Sequence, residues 1–485
     1  MGFLALRIIE KLLIIYFISY FVIDVGLFLF ALFNFRKKKK KDTSNYDYQA
    51  HKISIIVPSF NEEVSIIACT DMLLNVDYTN YELIIVNDGS KDKTMETLKN
   101  YYTLIPIENS NPDALNISTI KQVYQVEGKN LLILDKENGG KADSVNAGII
   151  YSTGDYICTI DADSILDKNA LKEVVNPFIE NKNTIVSGGQ LAVANDVVIK
   201  DNHVVSSKTP KNIWVIWQII EYIKSFMISR IGLSKINALL VMSGAFSLFK
   251  KSDLLEIGGF LTKINTHPYL EKTIGLGKQT VCEDMEIVVR LWKFKRDQNI
   301  KAKAVFLPEP VCWTEVPDKG INLFKQRSRW HQGLTETLKI HRKMIFEPKY
   351  GVTGMFGLPY YLFFEMLSPI IKIISIVFIV VSIYFGTVNY EFMLLLFAGV
   401  FLATAIIMSS ITAIIEYWSK HKYEVNRNAL RYHTIWDWLW LIIAGILAEF
   451  SYAFYKIWAQ MTGIFNFLRK KNEWNKFERK GLKMN

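Results

Sequence analysis

The apolar residues of this chain are gathered into two blocks, and their placement constrains the fold more than any other feature. One block is Leu12 to Phe33, interrupted only by Asp24, and the other lies beyond Met355; the long stretch between them reads as soluble α/β sequence. At about 22 residues, the first block is long enough to cross a hydrocarbon core roughly 30 Å thick. It is too long for a signal-peptide core, and no small-residue cleavage site follows it. Arg36 to Lys41 follows as an unbroken basic run, which by the positive-inside rule puts the residues after it in the cytoplasm and the N-terminus outside. Half of the 485 residues are apolar, high for a fully soluble chain. The expected layout is a transmembrane helix over residues 1–35, a basic linker over 36–50, a cytoplasmic domain over 51–345, interfacial and transmembrane helices over 346–468, and a basic tail over 469–485.

The net charge of +10 needs no nucleic-acid partner, because a lysine run directly after a spanning segment suits lipid headgroups. A solvated linker is the plainer alternative. Cys69, Cys158, Cys282 and Cys312 are widely spaced, with no Cys-x-x-Cys pair, so four reduced thiols are expected rather than a disulfide framework or a zinc site.

From Ile53 to Ile160, short apolar runs alternate with helical stretches. Ile53 to Val57, Leu83 to Val86, Leu131 to Leu134 and Tyr156 to Ile160 read as strands buried on both faces, separated by helices starting near Glu62, Asp92 and Lys141. This predicts a parallel, doubly wound sheet, in which ligands bind beyond the carboxyl ends of the strands, where Asp88 and Asp161 fall. Asn109 to Ser118, with Pro112, reads as a surface excursion. Trp214 to Ile228 has apolar residues at helical spacing, and lies on the bilayer or covers the sheet. Spans are expected at about Met366 to Phe385 and Phe392 to Ile415. Ile435 to Phe467 is short for two spans, and a single crossing would put the basic tail outside, so the expected count is four, give or take one.

The polar motifs have both a structural and a chemical reading. Val57-Pro58-Ser59-Phe60-Asn61-Glu62 ends the first strand, where Pro58, Asn61 and Glu62 would bracket a nucleobase and ribose or simply make a turn. Asp88, followed by Gly89-Ser90, either accepts a hydrogen bond from a nucleotide or caps a helix. Gly139-Gly140-Lys141 precedes a helix, so a diphosphate there would meet backbone amides and an ammonium. Asp161-Ala162-Asp163 follows the next strand, and its carboxylates suit Mg²⁺ or Mn²⁺. Gln326, Arg329 and Trp330 share one face of a helical stretch. Asp24, Glu365 and Glu449 are carboxylates in or near apolar segments, where such groups usually face protein or a watery cavity.

Taken in order, Val86-Asn87-Asp88-Gly89-Ser90, Gly139-Gly140-Lys141-Ala142-Asp143, Asp161-Ala162-Asp163, Glu283-Asp284 and Gln326-x-x-Arg329-Trp330 resemble the inverting family 2 glycosyltransferases. The last motif resembles the signature of the processive cellulose, hyaluronan and poly-N-acetylglucosamine synthases. The resemblance implies an α/β GT-A nucleotide-sugar-binding domain with a Rossmann-like sheet, inserted between transmembrane helices. It implies Asp163 as the metal ligand with Asp161 facing metal or nucleotide, and Asp284 as general base with Glu283 orienting it. Cys282 stands where many members carry Thr or Gly. Ser243-Gly244 resembles the acceptor-side turn, Gln326, Arg329 and Trp330 the acceptor or diphosphate site, and Trp474 with Arg479 a gating segment over the diphosphate.

The expected activity is transfer from a UDP-sugar to a growing polysaccharide, coupled to export, in a multi-pass plasma-membrane protein with a cytoplasmic catalytic domain. A one-step transferase acting on a lipid carrier is the alternative within enzymes. A non-catalytic transporter or scaffold is the alternative outside them, against which the carboxylates argue.

Overall fold

The computed structural model describes residues 2–37, 43, 45–109, 114–200, 203–386, 391 and 434–470. The core is a ten-stranded sheet in the order β3-β4-β5-β2-β1-β6-β11-β8-β12-β7. Its strands are β1 (Ile53–Ser59), β2 (Tyr81–Asp88), β3 (Leu104–Ile107), β4 (Ile120–Val126), β5 (Leu131–Lys136), β6 (Tyr156–Ile160), β7 (Ser164–Leu166), β8 (Thr184–Val193), β11 (Phe246–Lys250) and β12 (Lys303–Thr314). A separate hairpin pairs β9 (Val197–Lys200) with β10 (His203–Ser207).

The four strands expected from sequence are present, and β5, β2, β1 and β6 run parallel. The expectation of a wholly parallel sheet is corrected. β11 runs antiparallel between β6 and β8, β4 is antiparallel to β5, and β7 is antiparallel to β12. The parallel centre is buried on both faces: Ile53, Ile55, Ile56, Val57, Leu83, Ile84, Ile85 and Val86 are at most 1% exposed. Each such side chain contributes roughly 1.5–3 kcal/mol of burial free energy. Because β1, β2, β5 and β6 share one direction, Ser59, Asp88, Lys136 and Ile160 end along the same edge, where Asp161 follows.

Among the described residues, two helices are long and apolar enough to cross a membrane, Leu6–Ala31 and Ile435–Leu468. A bent pair, Thr353–Met366 and Ser368–Tyr384, meets at 46° and could form a third span. Ile435–Leu468 is one 34-residue run that loosens into a π-helical stretch at Ala448–Tyr452. It makes no hairpin. The expected span at 392–415 lies outside the described residues. The N-terminal helix docks on helix Ser229–Lys235 by placing Leu27 against Gly232, where a Cβ would come 2.8 Å from the Leu27 carbonyl oxygen. Ile213–Glu221 is helical and continues as a π-helix over Tyr222–Ile228. Its Ile216, Trp217 and Ile220 are buried in a cluster with Leu323, Leu441, Ala444 and Tyr452, so this element covers protein.

Candidate active site

The loops after β1 and β2 are lashed together. The Asn61 amide donates to Ser90 Oγ at 3.0 Å, and Asn61 Oδ1 accepts from the Lys91 amide at 2.8 Å. The Glu62 amide donates to Thr94 Oγ1 at 2.8 Å, and Ser65 Oγ donates to Glu62 Oε2 at 2.7 Å. Asn61 holds φ of 55°, a left-handed conformation that Asn tolerates better than most side chains. Pro58 lies in β1, opposite Val86 of β2.

Asp88 is 3% exposed, and its carboxylate meets four donors. Lys136 Nζ at 2.7 Å and the Gly139 amide at 2.9 Å bond one oxygen; the Gly140 amide at 2.9 Å and Asn138 Nδ2 at 3.2 Å bond the other. The two glycine amides expected to face a diphosphate therefore face Asp88. Asp88 thereby fixes the turn that leads into helix Lys141–Tyr151. Gly140, at φ 89°, needs the conformational freedom of glycine there.

That turn delivers Lys141 to the centre of the site. Its ammonium lies 2.6 Å from Asp161 and 3.5 Å from Glu283, and donates to the Gly244 carbonyl at 3.2 Å. Burial opposes its charge, but Asp161 and Glu283 outweigh that and hold its pKa above the usual lysine value. Ser243 and Gly244 precede β11, which returns the chain beside β6. The Gly244 amide donates to Asp284 Oδ2 at 3.2 Å, and a Cβ on Gly244 would stand 3.2 Å from Lys141 Nζ and 3.3 Å from the Asp284 Cβ. Burial and the neighbouring Glu283 push the Asp284 carboxyl above the ordinary aspartate range, against Lys141, Arg230 and the Gly244 amide. A raised carboxyl is the better proton acceptor. Asp163 is buried, with Ser164 Oγ 3.3 Å from its Oδ1.

Helix Gly320–Ile340 carries Gln326, Arg329 and Trp330 and braces the loop that leads into Asp284. Glu336 accepts from the Val281 amide at 2.9 Å, Cys282 Sγ donates to the Trp330 carbonyl at 3.8 Å, and Gly333 packs directly on Cys282. Arg329 Nε is buried without a hydrogen-bond partner among the described residues. Two residues on from Asp284, Glu286 accepts from Arg290 Nε at 2.9 Å and Nη2 at 2.7 Å and faces His341 Nε2 at 3.1 Å. Burial works against this carboxylate, yet Arg290 and His341 hold its pKa down to about 2. Sequence reasoning missed Gly333, Glu286, Arg290 and Glu336. Only the i, i+4 spacing of Glu286 and Arg290 was a visible signal. The arrangement thus brings together Asp161, Lys141, Gly244, Glu283 and Asp284, with the Gln326 to Trp330 helix behind them. Trp474 and Arg479 lie outside the described residues.

The donor set fits a hard divalent cation only in part from protein. Asp161 and Asp163 offer carboxylate oxygens, and among the described residues no group of three or more His, Cys, Asp or Glu side chains is placed to hold a metal. The remaining positions would fall to diphosphate and water, which Mg²⁺ accepts readily.

Residues 54–258 match the family model for glycosyl transferase family 2, and residues 284–440 match that for chitin synthase. The chain is 27% identical over 290 residues to a poly-beta-1,6-N-acetyl-D-glucosamine synthase of Staphylococcus epidermidis, covering 60% of this chain and 56% of the relative. It is 28% identical over 302 residues to the synthase of that name from Staphylococcus aureus, covering 62% and 58%. The chain thus spans little more than half the length of these relatives. Among solved structures, the mannosyltransferase PcManGT of Pyrobaculum calidifontis, in complex with GDP-Man and Mn²⁺, superposes with a TM-score of 0.53 at 16% identity, covering 91% of this chain and 99% of that one. That likeness carries the GT-A fold. The two family models lie side by side along the chain, and residues 54–258 are a family 2 glycosyltransferase domain.

Proposed function

We propose that the chain is a membrane-bound inverting synthase that transfers sugar from a UDP-sugar to a growing β-linked polysaccharide and passes the product outward. The observation that carries this reading is the convergence on Lys141. One ammonium sits between Asp161, Glu283 and the Gly244 carbonyl while the Gly244 amide holds Asp284. Donor-side and acceptor-side groups are thereby within one side chain of each other.

In this reading Asp284 takes the proton of the acceptor hydroxyl. The oxygen then attacks the anomeric carbon on the face opposite the diphosphate, and the C1–O bond to UDP breaks as the β-linkage forms. Glu283 keeps the proton on Asp284 favourable by its negative charge. Lys141 meets the diphosphate as charge builds on its departing oxygen, an electrostatic contribution worth most in a site shielded from water. Asp88 serves the nucleotide indirectly, by fixing the Gly139-Gly140 turn, while Pro58, Asn61 and Glu62 line the base and ribose side. Asp163 and Asp161 would hold Mg²⁺ or Mn²⁺, which when bound neutralises the leaving diphosphate. Ser243, Gly244, Gln326, Arg329 and Trp330 border the acceptor, and Trp474 and Arg479 are proposed to close over the donor from the tail.

The names of the staphylococcal relatives favour N-acetylglucosamine as the sugar. The domain would face the cytoplasm of a plasma membrane crossed several times, placed there by the basic run after the first helix. Purified protein offered UDP-glucose and UDP-N-acetylglucosamine separately should make high-molecular-weight product from the second. A single sugar on a lipid would instead establish the one-step transferase.

A further inference from the structure

One carboxylate joins three elements that are far apart in sequence. Glu221, at the end of helix Ile213–Glu221, accepts from Arg327 Nε at 3.1 Å and Nη2 at 2.6 Å and from the Tyr452 hydroxyl at 2.7 Å, all on one oxygen. Its other oxygen meets Lys456 Nζ at 3.3 Å. Arg327 is one of the two unnamed positions in the Gln-x-x-Arg-Trp motif. Its Nη1 donates to Gln326 at 2.6 Å, and its guanidinium lies 4.1 Å from the centroid of the Trp330 ring. Tyr452 and Lys456 belong to the C-terminal candidate span. Tyr452 stacks on Trp217 at 5.3 Å and 22°, and Trp217 Nε1 donates to the Ala444 carbonyl at 2.8 Å.

We propose that Glu221, Arg327 and Tyr452 form a positioning device that sets the Trp330 ring for the acceptor sugar and ties that setting to the C-terminal membrane helix. Three N–H bonds fix both the position and the plane of the guanidinium that lies over the indole ring. Apolar side chains would fill this space as stably, because desolvation offsets most of the gain from a buried ion pair. What packing alone does not supply is the orientation of a plane. The same helix is gripped elsewhere by the span, where Gly463 packs on the Ser328 carbonyl and Asn466 Nδ2 meets Ser328 Oγ at 3.4 Å. A shift of the span is therefore felt at Trp330, whose own carbonyl holds Cys282 next to the base. Arg327 acts here through Trp330 and Gln326 and is a positioning residue.

The inference rests on the acceptor reading of Trp330, and the test keeps the two apart. The full chain in detergent is titrated with a β-linked N-acetylglucosamine tetrasaccharide and, separately, with UDP; UDP release is measured alongside. Arg327→Met should weaken oligosaccharide binding about tenfold or more, the equivalent of about 1.4 kcal/mol, with UDP affinity unchanged. Arg327→Lys should not restore it, since an ammonium lacks the plane and the fork. Tyr452→Phe and Glu221→Gln should act in the same direction, more weakly, and Tyr452→Phe carries the test if Arg327→Met does not fold. Unchanged oligosaccharide binding in these variants, equal losses for UDP and oligosaccharide, or no oligosaccharide binding by the wild type would each overturn the proposal. Absence of UDP release by the wild type would sink the transferase reading while leaving the binding comparison to decide this one.

Discussion

Gly333→Ala is a one-methyl test of how tightly Asp284, the proposed base, is held. Gly333 lies mid-helix in Gly320–Ile340, where alanine would ordinarily gain about 1 kcal/mol of helix propensity. Here the new Cβ would run into the Cys282 Cβ, come 2.5 Å from Cys282 Sγ and 3.0 Å from the Cys282 amide nitrogen. Sγ can rotate aside, but the Cβ and the amide nitrogen are fixed by the backbone. Overpacking of this kind costs about 1–3 kcal/mol, so a net loss of about 1 kcal/mol is expected despite the propensity gain. The effect on rate should be larger, because Cys282 is two residues before Asp284 and a displacement of about 1 Å can cost about 100-fold. The assay is UDP release beside a thermal melt. Cys282→Gly in the same chain removes the Cβ and Sγ clashes but leaves the 3.0 Å backbone approach, so the double variant should recover part of the rate. Gly333→Ala at wild-type rate and raised stability would refute the reasoning.

Other outcomes follow from the charges. Lys141→Met removes the ammonium from Asp161 and Glu283 and should lower UDP release about 100- to 1000-fold. Lys141 also holds the Asp284 pKa down, so in the residual activity the rise in rate with pH should shift to higher pH. Burial holds the His331 pKa down to about 4, against the hydrogen bond of Nε2 with the Met366 carbonyl at 3.1 Å and helped by Lys456. The unfolded imidazole binds its proton near pH 6.5, so this stability is present above that pH and lost as pH falls toward 4, roughly 3 kcal/mol in all. His331→Gln should flatten that slope in melts followed from pH 7 to pH 5.

The parallel centre of the sheet was legible because β1, β2, β5 and β6 are short apolar runs buried on both faces. The flanking strands were not. β8 is interrupted by Gly188 and Gly189, β12 contains Pro308 and Pro310, and β3 contains Pro106, residues that weaken a strand signal. The motif residues were legible as chemistry, and Lys141, Asp161, Gly244, Glu283 and Asp284 meet. Their internal division was less so. Nothing in Asp88-Gly89-Ser90 reveals that Asp88 turns toward Gly139 and Gly140, since that bond crosses from β2 to the loop after β5. Glu221 and Arg327 are 106 positions apart, and Gly333 matters only because Cys282 lies against it. Such contacts are products of packing, which periodicity does not encode.

The most direct measurement is UDP release by the purified, detergent-solubilised chain with Mg²⁺ or Mn²⁺, wild type beside Asp284→Asn, with the product sized on a gel. Removing the proposed base should lower turnover by about 100- to 10,000-fold, so the prediction is polymer and UDP from the wild type and almost none from Asp284→Asn, with UDP affinity preserved. Equal turnover by the two proteins, or no UDP release from any donor, would contradict it.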